Sequence, residues 1–249
     1  MAMSTNAGSI HPAVGEPHLR LASGSGCRVR DEHGRAYLDA VAGVGVMSLG
    51  YGRDDIVAAA AAQARQLPFS HSMRFANEAS DVLAARLREL TPDGIDWFFF
   101  CSGGSEALDS AVKIIRHYWL DRGQPSRWRI IARRPSFHGN TLAGLSVGYH
   151  AARRTPFLPY LWDMPHIPAP WRLHCPNHGE GAPDCAACTG TALQEAIEEV
   201  GPDSVAAFIA EPLVGAAAPA VTPDPGYYET IRAICDRYDV LFVADEVMT

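Results

Sequence analysis

Lysine is nearly missing from this 249-residue sequence: among 21 basic residues only Lys113 is a lysine, and the rest are arginine. Any chemistry that needs a lysine amine therefore has one candidate. Positive charge is short overall, with a net charge of −7 at neutral pH. That balance works against a polyanionic partner, so no nucleic-acid surface is expected. No apolar run approaches the ~20 residues that span a bilayer. The opening MAMSTNAGSIHPAVGEPH lacks the basic-then-apolar pattern of a secretory leader. A cytoplasmic protein with no membrane partner is the expectation. The six cysteines, Cys27, Cys101, Cys175, Cys185, Cys188 and Cys235, are too few for a disulfide framework in a chain of this length and context. Neither G-x-G-x-x-G nor G-x-x-x-x-G-K-[ST] occurs as a strand-to-helix turn, which disfavours a dinucleotide or a nucleoside triphosphate.

What is present reads as α/β. Around Asp31-Glu32-His33-Gly34 the alternation CRVRDEHGRAYLD predicts a β-hairpin, followed by the glycine-rich loop GVGVMSLGYG. Helices are expected over residues 54–67 and 77–90, the second with Asn77 as its N-cap. Beyond these the chain repeats short apolar strand, polar turn, helix. Strands are expected at residues 97–101, 129–132, 205–210 and 241–244, and helices at 105–121, 191–200 and 225–238. Such alternation implies a mostly parallel sheet flanked by helices. Residues 156–190 are proline-rich and irregular, and read as a surface excursion. The apolar run LFVADEVMT ends the sequence with no turn or cap after it, which reads as a truncated chain.

The turn CSGGSEALDS precedes an apolar stripe of helical period, so a helix starts near Ser105 directly after an apolar run. Free N–H groups and the helix dipole favour an anion there, and Gly103-Gly104 let it approach. Taken alone, the turn is equally a tight turn with no ligand. Three further turns follow predicted strands: RRPSFHGNT, EPLVG and Asp245-Glu246. In an open parallel sheet ligands gather at the carboxyl ends of strands, so all four should meet in one crevice. A phosphate cradle, an aromatic ring (Phe137) and an aspartate ending an apolar strand (Asp245) suit a phosphorylated heteroaromatic ring with a protonated nitrogen. Pyridoxal phosphate is such a molecule.

In this order SGGSEA, FHGNT, IAEPLVG and DEVMT resemble the class III (ω-amino acid) pyridoxal-phosphate-dependent aminotransferases, over roughly residues 20–249. The resemblance implies fold type I, with residues 1–70 forming an N-terminal arm and part of a small domain. Residues 71–249 would be an incomplete large cofactor-binding domain. It implies that Gly104 and Ser105 bind the cofactor phosphate, that Phe137 and Val247 cover the two ring faces, and that Asp245 pairs with the ring nitrogen. Glu211 would lie near the ring hydroxyl and the substrate, or could serve only as a cap or arginine partner. His138, in the cofactor shell, could simply support its turn. The implied activity is transfer of an amino group between an amino acid or amine and a keto acid or aldehyde, in a homodimer whose loop 43–50 faces the partner. A decarboxylase, aminomutase or epimerase of the same family would share these motifs.

The family's Schiff-base lysine has no counterpart here. Lys113 lies eight residues past Ser105 on one helix, hence ~12 Å along its axis, and faces away from the crevice. This chain alone is therefore expected not to transaminate. One motif stands apart. HCPNHGEGAPDCAAC holds Cys175, Cys185 and Cys188 with His174 and His178. It is open to a zinc-binding or interaction-module reading, but its first spacing is not that of a standard finger, so no metal site is expected.

Overall fold

The computed structural model describes residues 19–172, 175 and 185–249. The chain divides into two compact units, Met1–Phe98 and Phe99–Thr249.

In the first unit β1 (Leu21–Ser25), β2 (Arg28–Asp31) and β3 (Ala36–Leu38) form an antiparallel meander in chain order. The expected hairpin is β2–β3. Its turn is closed by Asp31, whose Oδ1 accepts the N–H groups of His33 at 3.0 Å and Arg35 at 2.8 Å. Gly34 supplies the left-handed residue at φ +81°. The glycine-rich loop contains one irregular turn, α1 (Ala42–Gly45). Two amphipathic helices follow, α2 (Asp54–Gln66) and α3 (Glu78–Arg88), and Asn77 caps α3 by accepting the Ser80 N–H at 2.9 Å. Neither helix has a buried residue.

The second unit opens with α4 (Gly104–Asp121), β4 (Arg129–Arg134), α5 (Leu142–Val147) and α6 (Ala151–Arg154). It continues through β5 (His166–Pro168), α7 (Ala186–Thr189), α8 (Ala192–Val200), β6 (Val205–Ala210), α9 (Tyr227–Tyr238) and β7 (Leu241–Ala244). The sheet order is β5-β4-β6-β7, every pair parallel. All six residues of β6 are buried, as befits a central strand covered on both faces. Alternate residues divide between the two sides. Ile131 and Phe208 pack with Leu193 and Ile197 of α8 and Ile231 of α9. Ile130, Ala207 and Ile209 pack with Leu108, Ile115 and Trp119 of α4. Fully buried Trp119 also donates its indole N–H to the Ala206 carbonyl at 2.9 Å, fixing α4 against β6.

One expected strand does not form. Residues 97–101 carry no ladder pairing among the described residues, and Trp97 is 94% exposed. An extended apolar run becomes a strand only when a neighbour accepts its hydrogen bonds, and no described strand does so.

Candidate functional site

Three adjacent parallel strands, β4, β6 and β7, deliver their turns to one end of the sheet. β4 runs into Pro135–Asn140, β6 into Glu211-Pro212, and β7 into Asp245-Glu246-Val247. α4 starts in the same place. Its N-cap residue, Gly103, makes no side-chain cap bond, so the first N–H groups of an 18-residue helix stay available to an anion.

Direct contacts join the four turns. The Ser105 hydroxyl, in the first turn of α4, accepts the Asn140 N–H at 2.9 Å. Buried Glu211 accepts the Phe137 N–H at 3.3 Å through one carboxylate oxygen and the Gly215 N–H at 3.4 Å through the other. His138 Nδ1 lies 2.7 Å from Asp245 Oδ2. A Cβ at Gly104 would stand 2.9 Å from Val247 Cγ2, so the start of α4 and the turn after β7 lie in direct contact. The four turns meet: Gly104, Ser105, Phe137, His138, Glu211, Asp245 and Val247 form one connected cluster.

The His138 side chain is fully buried and the Asp245 side chain is 12% exposed, and the two share a hydrogen bond between Nδ1 and Oδ2. The second Asp245 oxygen accepts the Val247 N–H at 3.2 Å. A charge at a strand end is thereby oriented from two sides. Burial pushes the Glu211 carboxyl above its ordinary range, against the opposing influence of His138, the Phe137 amide and Arg133. Phe137 presents an edge to His150 at 6.2 Å, and the Arg153 guanidinium lies over its ring at 4.6 Å.

Sequence reasoning missed Arg133. Fully buried at the end of β4, it donates to the Glu211 backbone carbonyl and, at 3.3 Å, to the Tyr228 hydroxyl. A strand ending in two arginines reads as leaving the core. The available signal was the apolar residue on either side of the pair's strand register, which places Arg133 on the inner face. Lys113 is exposed midway along α4, as expected.

The profile of the family described as Aminotransferase class-III matches residues 10–249. The chain belongs to that family. It is 38% identical over 237 residues to a putrescine–pyruvate aminotransferase of Pseudomonas aeruginosa, covering 92% of this chain and 50% of that protein. It is 37% identical over 247 residues to a mitochondrial gamma-aminobutyrate transaminase of Oryza sativa subsp. japonica, covering 96% of this chain and 46% of the relative. The fold matches a crystal structure of an omega transaminase from Pseudomonas jessenii in complex with PMP, with TM-score 0.88 and 32% identity over 93% of this chain and 51% of that one. Fold type I follows from such neighbours. The class-III aminotransferase chain described here spans about half the length of the curated relatives it matches. Among its described residues no helix is long and apolar enough to cross a membrane.

Proposed function

We propose that this chain holds pyridoxal 5′-phosphate at the four joined turns and forms part of an aminotransferase that exchanges an amino group between an amine or amino acid and a keto acid or aldehyde. The observation that carries this reading is the Asp245–His138 pair, 2.7 Å apart and set beside the open start of α4. The site fits the cofactor. Unbonded helix N–H groups and the Ser105 hydroxyl suit a phosphate, and the closely packed glycines 104 and 139 leave backbone, not side chain, at its edge. A two-sided aspartate suits a ring nitrogen that must keep its proton.

When bound, the cofactor supplies an electron-withdrawing ring that makes the substrate C–H bond acidic. This chain's residues position it. Gly104 and Ser105 bind the phosphate, Phe137 and Val247 cover the ring, and Asp245 holds the proton on the ring nitrogen. His138 fixes the direction of Asp245. Glu211 lies toward the ring hydroxyl and the substrate. The name of one relative, a putrescine–pyruvate aminotransferase, favours an amine donor with a keto acid acceptor. A cytoplasmic homodimer completes the reading, with residues 1–70 as arm and small-domain part. Exposed apolar side chains in the first unit, Val44, Val46 and Met73 among them, support a partner surface.

The test is retention of pyridoxal phosphate on dialysis. Replacing His138 by Ala removes one charge-assisted hydrogen bond, about 1.5–3 kcal/mol, so retention should weaken roughly ten- to a hundredfold. Unchanged retention in both H138A and D245N would defeat the proposal. With Lys113 exposed on α4, these 249 residues alone should show no amine transfer above buffer, and measured turnover would overturn that part.

A further inference from the structure

A second cluster of reactive side chains lies outside the four turns. Cys175 stands on the near side of the excursion between β5 and α7, and Cys185 and Cys188 stand on the far side. Cys185 is the N-cap residue of α7, and Cys188 follows three residues later, where the Cys188 N–H donates to the Cys185 carbonyl at 2.9 Å. One helical turn therefore sets both thiols on the same face. Both are buried, Cys185 at 7% and Cys188 at 5% exposure, and partly buried Cys175 packs against them. The three Sγ atoms lie within 4.8 Å of one another, with those of Cys175 and Cys185 3.1 Å apart.

Zinc–thiolate bonds of about 2.3 Å in a tetrahedron put sulfur atoms about 3.8 Å apart. Three sulfurs within 4.8 Å of one another are close enough to share one such ion, and the 3.1 Å between Cys175 and Cys185 is far longer than a disulfide bond of about 2.05 Å. Two of the three sulfurs are pre-positioned. α7 ends at Gly190, in the left-handed conformation at φ +88°, where an added Cβ would meet the Tyr227 carbonyl at 3.2 Å and Ile231 at 3.3 Å. The Cys185–Cys188 turn is thus attached to α9, part of the main core. Cys175, from the other side of the excursion, brings its sulfur to within 3.1 Å of Cys185 Sγ. Cysteine-x2-cysteine with a third thiolate selects a soft, four-coordinate ion, and iron–sulfur clusters ordinarily call for a fourth cysteine. His174 and His178 of the same motif lie outside the described residues.

We infer that Cys175, Cys185 and Cys188 form a structural zinc site, with a further donor or water in the fourth position. The metal ties Cys175, before residues 176–184, to Cys185 and Cys188 after them. Each thiol loses its proton on binding, and the ion undergoes no redox change.

The site can be tested without the cofactor, so its outcome is independent of the aminotransferase reading. The chain is purified on a tag that binds no metal and analysed for zinc by plasma mass spectrometry. The expected result is one zinc per chain, lost in C185S and C188S. Should those variants fail to fold, the unaltered protein still decides. Exchange with Co²⁺ should produce thiolate-to-cobalt charge-transfer absorption, and a chelator should expose three extra thiols to alkylation. The exposed Cys27 and Cys101 react in either state and serve as internal controls. Metal-free protein whose three thiols alkylate at once would overturn the assignment, and so would a Cys175–Cys185 disulfide found by peptide mapping.

Discussion

Replacing Gly139 by Ala should damage the site through two separable effects. Gly139 lies between His138, which holds Asp245, and Asn140, which donates to Ser105, and its φ is +117°. A Cβ built there would stand 2.9 Å from Ser105 Oγ, 3.1 Å from its Cα and 3.3 Å from its Cβ. The Cα belongs to the helix backbone and cannot swing aside as a side-chain end can. Holding an L-residue in such a conformation costs about 1–3 kcal/mol, and overpacking adds about 1–3 kcal/mol. Gly123→Ala separates the two. Gly123 also has positive φ, +70°, but nothing lies within 4 Å of the added Cβ, so only the backbone cost applies. In a chain of this size each kcal/mol lowers Tm by about 2–4 °C. By thermal unfolding, G139A should melt about 10 °C below the parent and G123A about 4 °C below. Pyridoxal phosphate retention should fall in G139A alone. Equal melting losses in the two variants, with retention intact in both, would refute the claim that this glycine sets the spacing between the Phe137 turn and α4.

Two further perturbations probe the frame and its titration. Trp119→Ala removes a fully buried side chain and leaves the Ala206 carbonyl without its indole partner; equilibrium denaturation should show a loss of about 3–5 kcal/mol. Glu211→Gln tests the burial of that carboxyl. Its folded pKa is raised, so the native state prefers the protonated form. The resulting stabilisation is fully present below the ordinary value of 4.5 and is lost as pH rises through the raised value. The Tm of E211Q relative to the parent should therefore climb as pH increases from the acid side towards neutrality, and a difference that stays flat with pH would count against burial as the dominant influence.

Most of the second unit was legible because its periodicity is physically redundant. β6 is apolar at every position and had to be a central strand, and the stripe along α4 had to face a sheet. Helix starts were readable from chemistry, Asn77 capping α3 and the paired glycines opening α4. What escaped was set by tertiary context. β5 is three residues long inside a proline-rich stretch, and β1 is LASGS, with no alternation to read. Arg133 counts as surface by residue type, yet the end of β6 and Tyr228 receive its guanidinium inside the core. Residues 97–101 erred the other way, since an aromatic run has strand character but no power to supply its own partner.

The same distinction explains the candidate site. Residue types announced which groups would meet, because strand-end turns in a parallel sheet have one place to go. They did not announce how the groups would be held. Asp245 was readable as an acid ending an apolar strand, and such an acid needs a partner. Which partner depended on β4 and β7 lying on either side of β6, so that residues 107 positions apart come within 2.7 Å. In the reading proposed above, that pairing makes His138, the residue after an aromatic, the group that aims the carboxylate. The prediction on H138A is therefore stricter than one on Asp245 itself. Any loss of the carboxylate should weaken a cationic ring's binding, whereas a positioning histidine with no exposed surface should lower retention in H138A even where the Tm of the variant is unchanged.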